Sequence, residues 1–129
     1  MTGVQTCALP IYKHSAYIVT HADMPGFSRL DQARVAALLL GHAGKLGKLS
    51  VNTDYIDWRM LFSLRLAHVM CRRRDDDPLP DISVSESASG FMVWVPKAWA
   101  EKNPLTQYGL EKEAADWQKI GRQYEIKLV

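Results

Sequence analysis

Apolar residues fall at two different spacings along the 129 residues of the chain. Up to about residue 73 they recur every three or four positions, the repeat of a helix with one buried face; beyond residue 81 they alternate, the repeat of a strand. Residues 14–21 read as the end of a helix, stopped where Asp23-Met-Pro-Gly26 forces a turn. Ser28 followed by Asp31 forms a capping box, which predicts a helix over 29–42 with Val35, Leu38, Leu39 and His42 on one face. Gly41, Gly44 and Gly47 then mark a loop, with Lys45 and Lys48 within or beside it. A longer helix is predicted from about Asp54 to Arg73, with Ile56, Met60, Leu64, Ala67 and Cys71 as its buried stripe.

The run Arg72-Arg-Arg-Asp-Asp-Asp-Pro-Leu-Pro80 breaks that pattern. Opposite charges followed by two prolines read as a solvated linker over 75–80, with an anion facing Arg72, Arg73 or Arg74 as the alternative. Past it, Ile82–Glu86 and Phe91–Val95 alternate around Ser87-Ala-Ser-Gly90, the mark of a hairpin. Pro96–Asn103 reads as a short helical turn, Thr106 as the cap of a helix ending near Gly121, and Tyr124–Leu128 as a closing strand. Helices first and β-β-α-β second predict an α+β chain of two packed subdomains, 13–74 and 81–129.

Composition changes little in this picture. Hydrophobic residues make up 47% and charged residues 23%, which places the chain with globular proteins and not disordered ones. No apolar run reaches the roughly 18 residues of a membrane span. The net charge of +2 is too small to imply nucleic acid. Cys7 and Cys71 give no disulfide framework, so Cys71 reads as a lone reduced core thiol of a cytosolic protein.

The first eleven residues, Met1-Thr-Gly-Val-Gln-Thr-Cys-Ala-Leu-Pro-Ile11, fit nothing downstream. They lack the basic start of a secretory signal, since the first lysine is Lys13. The string resembles the translation of a sequencing-library adapter, so residues 1–12 are expected to be an artefactual leader, with Tyr12 a hybrid codon at the join. On that expectation the reading frame opens in mid-domain. A helical domain cut in this way would expose the apolar stripes of 35–39 and 56–71 and be poorly soluble or partly molten. Residues 81–129 would be the better-folded part.

The motifs of familiar chemistry are missing. His14, His21, His42 and His68 match no tight ligand spacing. Gly41-His-Ala-Gly-Lys-Leu-Gly47 lacks the preceding strand and the Gly-Lys-Ser/Thr ending of a phosphate loop, and there is no Gly-x-Ser-x-Gly elbow. What remains is a spread of cations, Lys13, His14, Arg29, Lys45, Lys48, Arg59 and Arg65, over the helical half. Arg forks and Lys point charges suit phosphate oxygens, and spaced cations suit a linear polyanion better than one pocket would. A solvated surface of mixed sign is the better explanation of any single one of them and an equal explanation of the group.

Three blocks carry a family resemblance: Lys13-His-Ser-Ala-Tyr-Ile18 with Ala22-Asp-Met-Pro-Gly-Phe-Ser28 and Gln32; Arg65-Leu-Ala67; and Trp99, Asn103-Pro-Leu105, Leu110-Glu-Lys-Glu113 and Trp117. In this order they resemble the C-terminal region of bacterial exopolyphosphatases and guanosine-pentaphosphate phosphatases, over residues 13 to 129. The resemblance implies that residues 13–74 are an incomplete helical domain similar to the HD phosphohydrolases and that 81–129 are the C-terminal subdomain. The family's catalytic carboxylate and Mg²⁺ would lie upstream, on a pair of actin-like domains. The His-Asp pair that names the HD fold is lacking, and His68 stands where that pattern has an Asp.

By similarity the fragment carries no catalytic and no metal-binding residue. His14, Lys45, Lys48 and Arg65 are its candidates for one wall of a polyphosphate channel. The implied parent is an exopolyphosphatase, with guanosine pentaphosphate as the alternative substrate, Mg²⁺ as its cofactor, a homodimer as its assembly and the cytoplasm as its location, with peripheral membrane association left open. A free-standing polyanion-binding or dimerisation module without catalysis is the reading from another class.

Overall fold

The computed structural model describes residues 13–49, 55–72 and 78–129. The expected leader 1–12, Asp54, Arg73, Arg74 and the first half of the expected linker lie outside the described residues. Helices and a three-stranded sheet make an α+β chain, as the change of period implied. It forms two compact units, divided inside a helix after Arg65.

In the first unit, residues 13–21 form helix α1. The chain then turns at Gly26, whose φ of 88° falls where a Cβ is unfavourable. Helix α2 (Arg29–Gly41) starts at the expected capping box. The Asp31 N–H donates to Ser28 Oγ at 3.0 Å, and the Ser28 N–H donates to Asp31 Oδ2 at 3.2 Å. A second tether fixes the angle between the helices: Gln32 Nε2 donates to the carbonyls of Val19 (3.0 Å) and Ala22 (2.7 Å). These are carbonyls that the end of α1 leaves without helical partners.

The buried residues of α2 are Gln32, Ala36 and Gly41, while the expected face of Val35, Leu38, Leu39 and His42 is only half-buried. A 3₁₀ turn at Leu46–Leu49 packs back on α2. The approach is close at Gly41, where a Cβ would stand 2.9 Å from Leu49 Cδ1 and 3.1 Å from Leu61 Cδ1.

Helix α3 (Trp58–Met70) begins later than the expected Asp54. Asp57 sets the start, because its Oδ1 accepts from the Met60 N–H at 3.1 Å and caps the first turn. The buried stripe is a correction to the sequence reading. Met60 and Leu64 are 48% and 42% exposed, and Ala67 and Cys71 are exposed as well. Cys71 is therefore not a core thiol. The residues turned inward are Leu61, Phe62, Arg65, Leu66, Val69 and Met70, a face rotated from the expected one. Of the expected stripe only Ile56, just before the helix, is buried.

The second unit holds the sheet. Strands β1 (Ser83–Ser87) and β2 (Gly90–Val95) form the expected hairpin, with Ser85 opposite Met92. Helices α4 (Lys97–Lys102) and α5 (Pro104–Lys119) lead to β3 (Gln123–Leu128), which pairs parallel to β2 with Phe91 beside Tyr124 and Val93 beside Ile126. The order is β1-β2-β3, with β2 central. Phe91, Val93 and Val95 alternate inward and meet Ala100, Leu110, Trp117 and Tyr124 in the core. Trp117 stands edge-on to Phe91 with ring centroids 5.8 Å apart, and its Nε1 donates to the buried Glu113 Oε2 at 3.0 Å.

Thr106 does not cap α5. Pro104 occupies the first turn, where its missing N–H costs nothing, and Thr106 is buried inside the helix. The end at Gly121 is as expected: φ is 82°, the Gly121 N–H donates to the Gln118 carbonyl and the Arg122 N–H to the Trp117 carbonyl, a Schellman motif. Gly90 is the other position that requires its lack of a side chain, since a Cβ there would overlap the Gln123 backbone on the neighbouring strand.

Candidate functional site

The four residues singled out for a polyphosphate channel, His14, Lys45, Lys48 and Arg65, lie in the first unit, and the structure treats them differently. Helix α1 rests on the unit through Ser15, Ala16 and Val19, which are partly buried, and turns His14, Tyr17, Ile18 and His21 outward. These four span about 100° of the helix at 100° per residue, so they share one face. Tyr17 and His21 stack at a tilt, with centroids 4.3 Å apart and 50° between planes. His14 is exposed at the start of this row.

Lys45 is also exposed, and it follows Gly44, whose φ of 79° swings the chain out of α2. Lys48 falls in the 3₁₀ turn, and its side chain lies outside the described residues. Arg65 differs from the other three. It is 5% exposed, with Nη1 donating to the Gly41 carbonyl at 2.7 Å and Nη2 to the Gly44 carbonyl at 2.9 Å. Its fork thus binds two carbonyls, one of the last residue of α2 and one three residues on. The structure brings Arg65 together with the loop that carries Lys45. No hydrogen bond or ion pair joins His14 to either of them among the described residues.

The arrangement can present exposed cations to an anion at His14 and Lys45. Catalytic chemistry has less support. Among the described residues no group of three or more His, Cys, Asp or Glu side chains could hold a metal ion. The ring of His42 lies 2.7 Å from the Leu39 carbonyl, a local contact inside its own helix end. Burial holds the Arg122 guanidinium below its usual pKa, but a guanidinium is no acid or base for catalysis. No helix of the described residues is long and apolar enough to cross a membrane.

Sequence reasoning missed two features of the site. The first is the Gln32 tether, whose acceptors lie 10 and 13 residues away and leave no local pattern. The second is the outward placement of Tyr17 and Ile18, which sit in the strongest motif block and which helical spacing alone assigns to neither face.

The chain is 33% identical over 112 residues to a guanosine-5'-triphosphate,3'-diphosphate pyrophosphatase of Photobacterium profundum, which covers 84% of this chain and 22% of that protein. It is 30% identical over 115 residues to a protein of the same name from Pseudoalteromonas translucida, covering 85% of this chain and 23% of the relative. A third of that name, from Aliivibrio fischeri, is 33% identical over 112 residues, with 84% and 22% covered. The chain thus spans less than a quarter of the length of these relatives. Residues 6–114 match the family described as Ppx/GppA phosphatase, domain III. The chain belongs to the Ppx/GppA phosphatase family, of which it carries domain III.

Proposed function

We propose that this chain is the accessory, substrate-guiding part of a phosphatase that removes a terminal phosphate from a polyanionic phosphate substrate. The family match over residues 6–114 carries the proposal. Two substrates stand equally. Guanosine pentaphosphate is favoured by the printed name of the three relatives. Inorganic polyphosphate is favoured by exposed cations that recur along the sequence of the first unit, Lys13, His14, Arg29, Lys45 and Arg59. His14 and Lys45 touch the phosphates in this reading, and Lys48, three residues on in the sequence, is a further candidate. Arg65 is a positioning residue, because its hydrogen bonds hold the backbone next to Lys45. Bond cleavage belongs to polypeptide outside the matched region, as do any Mg²⁺ site, a homodimer interface and the features that fix a cytoplasmic location.

The test is phosphate release from both substrates by three proteins: the 129-residue chain, the Photobacterium relative, and a chimera in which this chain replaces the matched region of that relative. The chain alone is expected to release none, and the chimera to act on at least one substrate. Lys45→Ala in an active chimera is expected to raise KM severalfold at unchanged kcat, with a shallower salt dependence, as loss of one phosphate contact predicts. A chimera whose KM and salt dependence ignore Lys45→Ala and His14→Ala would end the guiding role.

A further inference from the structure

Helix α2 is tied at both ends by a buried side chain that donates to two carbonyls. At its far end Arg65 donates to the Gly41 and Gly44 carbonyls and holds the loop that carries Lys45. At its near end Gln32, 7% exposed and in the first turns of the helix, donates from Nε2 to the carbonyls of Val19 and Ala22, where α1 stops. Two bonds from one amide hold a direction as well as a distance. The connecting turn is closed by the Phe27 N–H on the Met24 carbonyl at 3.1 Å, and open space beside Gly26 leaves that turn little to lean on. Gln32 is thus the group that holds the angle between the two helices.

His14 lies in the first turn of α1, eight residues before Ala22 and so about 12 Å from it at the rise of a helix. Helix α2 has 13 residues and is about 20 Å long, with Lys45 just beyond its end. A change of about 20° at the junction would therefore carry the far end of α2 by about 7 Å relative to α1. A phosphate contact tolerates far less, because its hydrogen bonds form only within about 2.7–3.2 Å. We propose that Gln32 is a positioning residue for the phosphate substrate: it sets the spacing between His14 and Lys45, so that one polyanion meets both cations at once. The proposal rests on the functional reading in which these two side chains touch the phosphates, and adds the group that fixes their separation. With the tether lost, each cation still attracts phosphate, but the pair is no longer held ready, and the loss falls on binding and not on cleavage.

Gln32→Met keeps the volume of the side chain and removes both donors. In the chimera with the Photobacterium relative it is expected to raise KM severalfold at unchanged kcat, and to add nothing to the KM of His14→Ala, since a residue that acts through another has no effect once the other is gone. Additive effects would overturn the proposal. Ser28→Ala weakens the start of α2 but keeps the tether, and is expected to lower the thermal midpoint without moving KM. An equal rise in KM there would make Gln32 a structural residue only. A second readout needs no activity. In the 129-residue chain carrying Cys7→Ser and Cys71→Ser, spin labels on His14→Cys and Lys45→Cys are expected to give one narrow distance by pulsed electron resonance, which Gln32→Met broadens. A distribution already broad, or one that Gln32→Met leaves unchanged, overturns the proposal. Should Gln32→Met fail to fold, Gln32→Asn, with both donors one methylene short, is read in the same way. The two readings fail separately: a distance broadened by Gln32→Met, with a KM indifferent to His14→Ala and Lys45→Ala, keeps the clamp on the helices and ends the guiding role.

Discussion

The two units bury their interiors by different means. The second closes on itself: Phe91, Val93 and Val95 from the central strand meet Leu110, Trp117 and Tyr124, and one internal hydrogen bond settles the Trp117 indole on Glu113. The first unit puts an arginine and a glutamine inside and sends Tyr17, Ile18, Met60 and Leu64 out. The second unit also buries polar residues, Thr106 and Glu113, and displays apolar ones, Leu105, Tyr108 and Val129 among them. The difference lies in what the buried polar groups bind: helix-end and loop carbonyls in the first unit, the Trp117 indole in the second.

The comparison breaks most sharply at Trp117. Trp117→Ala removes the largest fully buried side chain and its contacts with Phe91 and Tyr124, and should cost about 3–5 kcal/mol. Near-ultraviolet dichroism should be lost, with the helical signal of α1 and α2 retained. Complete loss of helix would show one cooperative body. Next comes Gly90→Ala, which forces a Cβ into the Gln123 backbone and should cost about 3 kcal/mol by urea titration. Amide exchange should speed up along β3 and not in α2.

Arg65→Met sharpens the other side of the comparison. It leaves the Gly41 and Gly44 carbonyls without their donor and should destabilise the first unit by about 2 kcal/mol. Arg65→Lys should not recover this, since one ammonium cannot reproduce the fork. A first unit that melts unchanged after either substitution would return Arg65 to the list of groups available for phosphate. Last, Ser28→Ala removes one half of the capping box, and Gly121→Ala places a Cβ at positive φ in the Schellman turn. Each should cost about 1 kcal/mol, the first in α2 and the second at the end of α5, as thermal midpoints of the single variants would show.

The same contrast explains what could be read from the sequence. Strand period, the Ser28–Asp31 box and the glycine at the end of α5 are local signals, and the hairpin, α2 and the end of α5 came out within a residue or two of expectation. Thr106 misled because Thr is a good cap residue, yet Pro104 is a better first-turn residue and moved the start upstream. The α3 stripe misled for a different reason. The face bearing Arg65 looks polar until its acceptors are known, and those lie 21 and 24 residues away. Met60, Leu64, Ala67 and Cys71 suggest a core because they recur at helical spacing, while an equally regular face bearing an arginine is passed over. For the candidate site, the exposure of His14 and Lys45 agrees with their being polar residues in a helix and a glycine-rich turn. Only the folded chain shows that Arg65 braces the loop.

The parallel pairing of β2 with β3 also carries a kinetic implication. The β1–β2 hairpin joins neighbours in sequence and can form in about 1–10 μs. Gly90 meets Gln123 only after α4 and α5 have carried the chain back along the sheet, so this ladder is the slowest contact for the unit to acquire. Until it forms, the alternating residues Phe91-Met-Val-Trp-Val95 have one open side, and in that interval β2 is the segment most exposed to pairing with another chain. The Gly121 turn, which directs α5 into β3, therefore helps to set how long that exposure lasts.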